Sequence, residues 1–251
     1  MTLDFLAEYD LNQTDWLWLA FCAMCVGMAK TGLGGLGMLI VPIMASVLGA
    51  RASTGFLLPM LIMGDIFGVI YYHRHAEIKY IVRLAPGTVI GVLTALAVGE
   101  WVSEGQFRQL LSMVILGSIL IMIFRKRSAP DLTEHFWLTH VMGFLGGFTT
   151  MIGNAAGPVM SIYFLSGDLP KNSFIGTSAW FFLWVNVFKV PFHIGVWKTI
   201  TVDSFSFNLL LFPAIVLGVL LGFSMVKRIP EKAYRIFILV SIGVAALKLF
   251  F

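Results

Sequence analysis

Two long apolar segments of the sequence are each interrupted by a glycine-rich stretch, and these interruptions restrict the possible folds more than any other feature. The first stretch, GMAKTGLGGLG from Gly27 to Gly37, has five glycines in eleven residues. The second stretch, GGFTTMIGNAAG, runs from Gly146 to Gly157. Glycine disfavours a continuous helix, and lipid cannot satisfy the backbone N–H and C=O groups that a break leaves free. Each break is therefore expected to lie against protein or a water-filled cavity.

The composition indicates the class of protein. Of 251 residues, 59% are hydrophobic and 12% are charged, and the mean hydropathy is +0.90. Globular chains carry roughly 45–50% apolar and about 25% charged residues, so the chain is predicted to be a multi-pass protein of the lipid bilayer. The longest basic run, Arg125–Arg127, is too short to indicate a nucleic-acid partner. The first 15 residues contain no Lys or Arg, so we expect no cleaved signal peptide.

The lengths of the apolar stretches predict how often the chain crosses the bilayer. About 20 residues span a hydrocarbon layer roughly 30 Å thick, so the interrupted stretches 14–48 and 132–166 are too long for one crossing. The other stretches predict single helices at about 51–73, 79–99 and 105–124, and again at about 171–194, 202–225 and 230–250. We expect an all-α integral membrane protein in two units, 1–127 and 128–251, each with a broken segment and three transmembrane helices.

The two units also resemble each other in sequence. The matched pairs, with an offset that grows from 119 to 127 residues, are Gly27 and Gly146, Thr31 and Thr150, Gly34 and Gly153, Gly35 and Asn154, Arg51 and Lys171, Asp65 and Asn186, Phe67 and Phe188, Pro86 and Pro213, Gly91 and Gly218, and Arg108 and Arg235. Each match is weak alone. Because the pairs keep one order along the chain, they indicate an internal repeat.

The positions of Lys and Arg predict how the broken segments are arranged. Cytoplasmic loops of membrane proteins carry the excess of these residues. If each broken segment is a re-entrant hairpin that enters and leaves on one face, eleven Lys and Arg residues lie in inside loops and three lie outside. If each segment crosses once, the basic loops 125–127 and 227–232 fall on opposite sides. The hairpin arrangement agrees better with the excess of Lys and Arg expected in cytoplasmic loops. It gives two inverted repeats, the plan of many secondary transporters.

The two hairpin tips are the predicted substrate site. A helix restarts after each break, and the free N–H groups and partial positive charge of a helix N-terminus suit an anion. Glycine lets the backbone approach a ligand closely, and Lys30 adds a full charge. The predicted substrate-binding residues of the tips are Lys30, Thr31, Gly34, Gly35, Thr149, Thr150, Gly153 and Asn154. The alternative is close helix packing by small residues, which we favour for Gly143 and Gly147.

Further polar residues are predicted to lie inside the membrane. Asp65 lies deep within a predicted span, where an ionisable residue is a functional candidate by default. It is a candidate coupling group, with a structural hydrogen bond between helices as the alternative. Asn186 and Lys189 complete the predicted substrate-binding set. Lys189 shares a helix face with His193, and it either neutralises an anion or extends outward to the interface.

The sequence lacks the motifs of common enzyme classes. It has no GxxxxGK[ST], GxSxG or HExxH, so we expect no enzyme, no catalytic residue and no cofactor, and transport driven by a gradient. Cys22 and Cys25 form a CxxC, which we interpret as packing in an apolar helix, with membrane thiol-redox chemistry as the alternative. His73 and His75 lack further metal ligands, so no metal site is predicted.

Three segments resemble one family: AKTGLGGLGMLIVP at Ala29–Pro42, GGFTTMIGNAAGPVMSIY at Gly146–Tyr163 and GVLLG at Gly218–Gly222. They resemble the sulfite exporter TauE/SafE family of bacterial membrane proteins, over about residues 15–250. The resemblance implies transport of sulfite or organosulfonates across the bacterial inner membrane. We expect alternating access with the anion bound between the tips. A passive anion channel, the thiol-redox protein and an accessory protein without a solute are the alternatives. A homodimer is compatible with the many glycine faces.

Overall fold

The computed structural model describes residues 12–33, 36–124, 133, 135–230 and 233, and this part of the chain contains helices and no β-strand. Its nine α-helices are α1 Gln13–Lys30, α2 Gly37–Leu48, α3 Ala50–Tyr72, α4 Ile78–Trp101, α5 Glu104–Phe124, α6 Phe136–Gly153, α7 Gly157–Ser166, α8 Lys171–Gly195 and α9 Val202–Arg228. A 3-10 turn, His73–His75, joins α3 to α4. The all-α prediction is confirmed for these residues. The predicted helix at 230–250 lies outside them.

The helices fall into long and short classes. Within the described residues, four are long and apolar enough to cross a membrane: α3 with its 3-10 turn, α4, α8 and α9. By contrast, α2 and α7 have 12 and 10 residues. At 1.5 Å per residue these helices are roughly 18 and 15 Å long, about half of the hydrocarbon layer. Each can therefore reach only part of the way through a bilayer.

The breaks form where the glycine-rich stretches predict them. Helix α1 ends at Lys30, and Gly32 follows with a φ of +126°, which residues with a side chain rarely adopt. Helix α6 ends at Gly153, and Asn154 follows in the left-handed conformation with a φ of +53°. Asparagine is among the few other residues that tolerate this conformation. Glycine therefore terminates the first helix and asparagine the second.

Helices α3 and α8 pack against each other as an antiparallel pair. At Gly176, near the start of α8, an added Cβ would lie 2.6 Å from the carbonyl oxygen of Tyr72 at the end of α3. Further along α8, Asn186 donates a hydrogen bond to Asp65, which precedes Tyr72 by two turns of α3. We call the end of the bundle that holds Tyr72 and the starts of α4 and α8 the basic end, and the end that holds the start of α3 the opposite end.

Two basic side chains hold helix ends in the same way in the two units. Arg51 at the start of α3 donates to carbonyl oxygens at the end of α4, and Lys171 at the start of α8 donates to carbonyl oxygens at the end of α9. The acceptors are Gly99 and Val102 for Arg51, and Val226 and Ile229 for Lys171, at 2.7 to 3.1 Å. Basic side chains satisfy the free carbonyls of a helix C-terminus in this way. Helix α9 therefore ends at the basic end, and α4 ends at the opposite end.

Helices α6 and α7 form a hairpin that starts and finishes at the basic end. Thr139 near the start of α6 and Tyr163 near the end of α7 have hydroxyl oxygens 3.3 Å apart. Tyr163 also packs against Tyr80 at the start of α4, with ring centroids 6.3 Å apart. The tip reaches the first turns of α3, because the side-chain nitrogen of Asn154 donates to the carbonyl oxygen of Thr54 at 3.0 Å. This hairpin therefore points toward the opposite end.

Helices α1 and α2 form a second hairpin that points the other way. Trp16 near the start of α1 packs against Phe207 near the start of α9, with ring centroids 4.6 Å apart. Helix α2 leads directly into the start of α3. Both limbs therefore have their outer ends at the opposite end. The tip reaches toward the basic end, since an added Cβ at Gly32 would lie 3.0 Å from a methyl group of Val226.

Glycines bring two helix pairs, α4 with α6 and α1 with α9, into backbone contact. An added Cβ at Gly147 of α6 would collide with the carbonyl oxygen of Thr88 in α4, and one at Gly218 of α9 would collide with the carbonyl oxygen of Met24 in α1. Small residues let helices approach closely in membranes, where van der Waals packing drives association. For Gly143 and Gly147 the structure agrees with the packing interpretation.

Basic residues collect at the basic end. Those described there are Arg74, Lys79, Arg83, Lys171, Lys227 and Arg228, beside the acidic Glu77 and Asp168. The opposite end holds Arg51, Arg108 and Lys198 with the acidic Asp15, Glu100, Glu104 and Asp203. The positive-inside rule requires this distribution if the basic end faces the cytoplasm.

Gly147→Ala is predicted to destabilise the protein, whereas Gly117→Ala is not. The methyl group at position 147 would press on the Thr88 carbonyl oxygen, and overpacking of this kind costs about 1–3 kcal/mol. At Gly117 no atom of the part of the chain that the structure describes lies within 4 Å of an added Cβ, and alanine is a better helix former than glycine. Thermal unfolding in detergent should give a lower Tm for the first variant only. Equal Tm values would contradict the backbone contact.

Candidate functional site

A cavity of about 110 Å³ lies between the two breaks. A single buried water needs roughly 10–15 Å³, so the cavity has room for a small polyatomic ion. Polar side chains from both breaks and from α3, α7 and α8 line it: Lys30, Asp65, Thr150, Asn154, Ser161, Ser178 and Asn186. The remaining wall is largely apolar and includes Leu57, Leu61, Phe174 and Phe182. The fold therefore brings the two sequence-predicted tips to one cavity.

Two helices begin at this cavity. Gly37 is the first residue of α2 and Gly157 is the first residue of α7, and both line the cavity. Neither helix is capped by the side chain of the preceding residue, Leu36 or Ala156. The first-turn N–H groups of a helix lack partners within it and carry a partial positive charge. The arrangement suits an anion.

Lys30 and Asp65 form an ion pair in the cavity wall. The lysine Nζ lies 2.9 Å from the carboxylate Oδ1, and the two side chains are 12% and 0% exposed. The second carboxylate oxygen, Oδ2, accepts a hydrogen bond from Nδ2 of Asn186 at 2.7 Å. The lysine Nζ also lies 4.4 Å from the ring centroid of Phe182, a cation–π distance. A buried carboxylate requires such partners.

Lys189 is fully buried behind the second tip, 0% exposed, so it does not extend outward to the interface. Its Nζ donates to the carbonyl oxygen of Thr150 at 2.9 Å, to the hydroxyl of Thr150 at 2.9 Å and to Oδ1 of Asn154 at 2.7 Å. All three acceptors are neutral, and no described Asp or Glu forms an ion pair with this lysine. Lys189 thus fixes the second tip against α8.

The charges around the cavity do not cancel. With every side chain counted in its ordinary ionised form, Lys30 and Lys189 contribute two positive charges and Asp65 contributes one negative charge, so the described residues at the cavity and directly behind its wall carry a formal net charge of +1. An uncompensated charge in a poorly solvated environment is unfavourable. One bound negative charge would compensate it.

Besides Lys189, three predicted site residues do not line the cavity. The hydroxyls of Thr31 and Thr149 donate to carbonyl oxygens of the preceding turns of their own helices, with shortest distances of 3.0 and 2.7 Å. An added Cβ at Gly153 would collide with the side chain of Leu111, so Gly153 serves packing. Gly34–Gly35 lies outside the described residues. As binding residues, all members of the predicted set remain predictions.

Among the residues of the cavity wall that sequence reasoning missed are Ser161, Ser178 and Phe182. Ser178, Phe182 and Asn186 follow one another at intervals of four residues on α8, and Lys189 continues the same face. This polar and aromatic stripe was a detectable signal. Ser161 lies in the second turn of α7, and nothing in the surrounding sequence distinguishes it from a packing residue.

The two cysteines are free and buried in α1, with Cys22 0% and Cys25 4% exposed. Neither lines the cavity. Redox-active thiols lie in partly exposed, electropositive surroundings. The packing interpretation therefore agrees with the structure, which gives no support to the thiol-redox alternative.

The fold and the cavity define a class: an α-helical, multi-pass membrane protein with an internal polar cavity between two broken helices. The family model for the sulfite exporter TauE/SafE family matches residues 19–249, and the chain belongs to this family. The resemblance seen in the glycine-rich segments is thereby confirmed. No curated protein and no solved structure matches the chain. Because the family is one of transporters, the chain is a membrane transport protein.

Removing one partner of the Lys30–Asp65 pair is predicted to destabilise the protein more than removing both. Asp65→Leu leaves Lys30 without its counter-ion, and breaking a buried pair costs about 3–5 kcal/mol, whereas an apolar replacement of both partners is often close to neutral. Thermal unfolding should therefore give the double variant Lys30→Met with Asp65→Leu a higher Tm than Asp65→Leu alone.

An exposed ion pair provides the control. Glu77 and Lys79 lie 3.5 Å apart with side chains 42% and 59% exposed, so Glu77→Leu is expected to change stability by less than about 1 kcal/mol. If the Tm losses of Asp65→Leu and Lys30→Met simply add in the double variant, the two residues are not coupled and the prediction fails.

Proposed function

We propose that the protein is a secondary transporter that exports a small sulfur-containing anion, such as sulfite or an organosulfonate. The anion binds in the cavity between the two helix breaks. The observation that carries this proposal is the meeting of two uncapped helix starts, at Gly37 and Gly157, with Lys30 in one cavity of net positive charge. Membership of the sulfite exporter TauE/SafE family supports the substrate class.

The cavity has complementary surfaces for such a solute. Two helix N-termini each contribute a partial charge of roughly +0.5, and Thr150 and Asn154 add neutral polar groups to the same wall. The oxygens of sulfite or of a sulfonate group distribute their charge over several atoms, which suits donors that converge from different helices. The apolar wall, with Leu57 and Phe174, suits a short organic substituent. Ligand sites commonly combine a few placed polar groups with apolar walls.

The arrangement of the helices supports alternating access. The hairpins α1–α2 and α6–α7 enter from opposite ends, α3 and α8 are antiparallel, and Arg51 and Lys171 hold corresponding helix ends. We therefore propose two inverted repeats with boundaries at 1–127 and 128–251, each reaching the cavity with its own tip. Rocking of one repeat against the other would open the cavity to one end at a time, as in other inverted-repeat transporters.

Polar contacts hold each tip, and a bound anion would alter them. Lys30 holds the first tip to Asp65 of α3, and Lys189 holds the second tip to α8 through Thr150 and Asn154. An anion that attracts Lys30 would weaken its contact with Asp65. Asp65 is then the candidate coupling group, because a buried carboxylate that loses its counter-ion favours binding a proton.

The charge distribution orients the path of the proposed export. If the basic end faces the cytoplasm, export carries the anion from the basic end, past the tips, to the opposite end. The corresponding location is the bacterial inner membrane.

Gly37→Leu and Gly157→Leu are each predicted to reduce sulfonate or sulfite flux in proteoliposomes to background. At both positions no atom of the described residues lies within 4 Å of an added Cβ, and both residues line the cavity. The new side chain would therefore occupy the binding space without a clash at its base, and the Tm should stay close to that of the wild type. Gly195→Leu is the matched control, since its Cβ also meets open space and it does not line the cavity. It should transport normally.

Full flux through both cavity variants would refute a site at the tips. Counterflow of labelled solute into vesicles loaded with unlabelled solute separates a carrier from the passive channel, which cannot support it. The same vesicles, with and without a pH gradient, test coupling through Asp65. If Asp65 is the coupling group, Asp65→Asn should retain counterflow but lose any dependence of net flux on the gradient.

A further inference from the structure

Asn186, a residue of the cavity wall, carries a buried hydrogen-bond acceptor that the described residues leave unused. The residue is 1% exposed and lines the cavity. Its Nδ2 donates to Oδ2 of Asp65 at 2.7 Å. An ionised carboxylate only accepts hydrogen bonds, so this contact fixes the amide orientation, with the nitrogen toward Asp65. The amide oxygen, Oδ1, then has no hydrogen-bond partner among the residues that the structure describes.

A buried acceptor without a partner is unfavourable, because it has lost its hydrogen bonds to water. The other groups that the proposed function assigns to the anion, the first-turn N–H groups at Gly37 and Gly157 and the ammonium of Lys30, are all donors. A sulfite or sulfonate group, which only accepts, satisfies these donors but gives nothing to Asn186. A ligand that also carries a donor would satisfy both kinds of group.

The charges restrict the ligand further. In their ordinary ionised forms Lys30, Lys189 and Asp65 have a formal charge of +1, so a ligand with a single negative charge makes the cluster formally neutral. A dianion would leave a net negative charge, and a zwitterion of zero net charge would leave the positive charge uncompensated. Both situations are unfavourable in a poorly solvated site.

We infer that the cavity selects a singly charged sulfur oxyanion that carries a neutral hydrogen-bond donor, a hydroxyl group, for Oδ1 of Asn186. This inference rests on the proposed function, because it takes the anion to bind between the tips. It adds a specificity-determining residue, Asn186, and a substrate class, hydroxylated monoanions. The protonated monoanion of sulfite belongs to this class, and so do hydroxyalkanesulfonates.

The test compares three sulfonates on the purified wild-type protein by titration calorimetry. 2-Hydroxyethanesulfonate and propane-1-sulfonate have one negative charge and the same number of non-hydrogen atoms, and only the first has a donor. One net hydrogen bond should make its Kd roughly two- to tenfold lower. 2-Aminoethanesulfonate, with zero net charge at neutral pH, should bind more weakly than either.

Two variants test whether Asn186 causes the preference for the hydroxylated sulfonate. Asn186→Ala removes the acceptor, so the Kd ratio of the hydroxylated to the alkyl sulfonate should approach one. Asn208→Ala is the matched control, because Asn208 is also a buried asparagine whose Oδ1 has no partner among the described residues and it does not line the cavity; it should keep the wild-type ratio. If Asn186→Ala does not fold, the comparison of ligands on the wild-type protein still decides the question.

The outcomes separate this inference from the proposed function. Equal affinity of the wild type for the hydroxylated and the alkyl sulfonate would overturn the inference and leave the anion site standing. An unchanged ratio in Asn186→Ala would overturn the role of Asn186. Failure of all three sulfonates, and of sulfite, to bind would overturn the proposed function and the inference with it.

Discussion

Backbone N–H and C=O groups cannot be left free in hydrocarbon, and this constraint governs how the whole molecule is arranged. Two broken helices place free N–H groups of α2 and α7 at membrane depth, which is tolerable only if protein surrounds them. Helices α3 and α8 provide the central wall, and the glycine contacts at Gly147 and Gly218 bring α6 close to α4 and α1 close to α9. The groups that make the breaks costly in lipid are the same groups that can bind an anion.

A lysine holds each tip to a central helix, but this lysine belongs to the hairpin at the first tip and to the central helix at the second. At the first tip the lysine belongs to the hairpin, since Lys30 reaches Asp65 of α3. At the second tip the lysine belongs to the central helix, since Lys189 of α8 reaches Thr150 and Asn154. The offset of 121 residues that relates Asp65 to Asn186 relates Gly68 to Lys189. An added Cβ at Gly68 would lie 2.7 Å from the carbonyl oxygen of Lys30, so glycine lets the first hairpin pack directly on α3.

This difference between the two tips gives the site its formal positive charge. Two equivalent tips with one lysine and one carboxylate each would be neutral. Here only one carboxylate is present, because the position that matches Asp65 is Asn186, and both lysines remain. The asymmetry supplies the formal positive charge that a bound anion would compensate, and it leaves the amide oxygen of Asn186 without a hydrogen-bond partner among the described residues.

Much of this could be predicted from the sequence, and the limits have physical causes. Glycine-rich stretches in apolar segments locate the breaks, because glycine acts on the backbone locally. Asp65 could be assigned as buried because a carboxylate in an apolar span has few alternatives. The partners of Lys189 could not be predicted, since they depend on how α8 packs against a tip about 35 residues away in the chain. The side-chain directions of Thr31 and Thr149 could not be predicted either. The hydroxyl of a helical threonine can form a hydrogen bond either with its own preceding turn or with a ligand.

The most direct test of the account is to locate the bound anion itself. Selenite has the shape and charge of sulfite, and its selenium scatters anomalously, so diffraction from crystals grown with selenite would show its position. The account predicts an anomalous peak between the starts of α2 and α7, at Gly37 and Gly157, within hydrogen-bonding distance of the Lys30 ammonium. An ordered peak elsewhere, for instance near Arg83 at the basic end, or no peak in the cavity at saturating selenite, would contradict it.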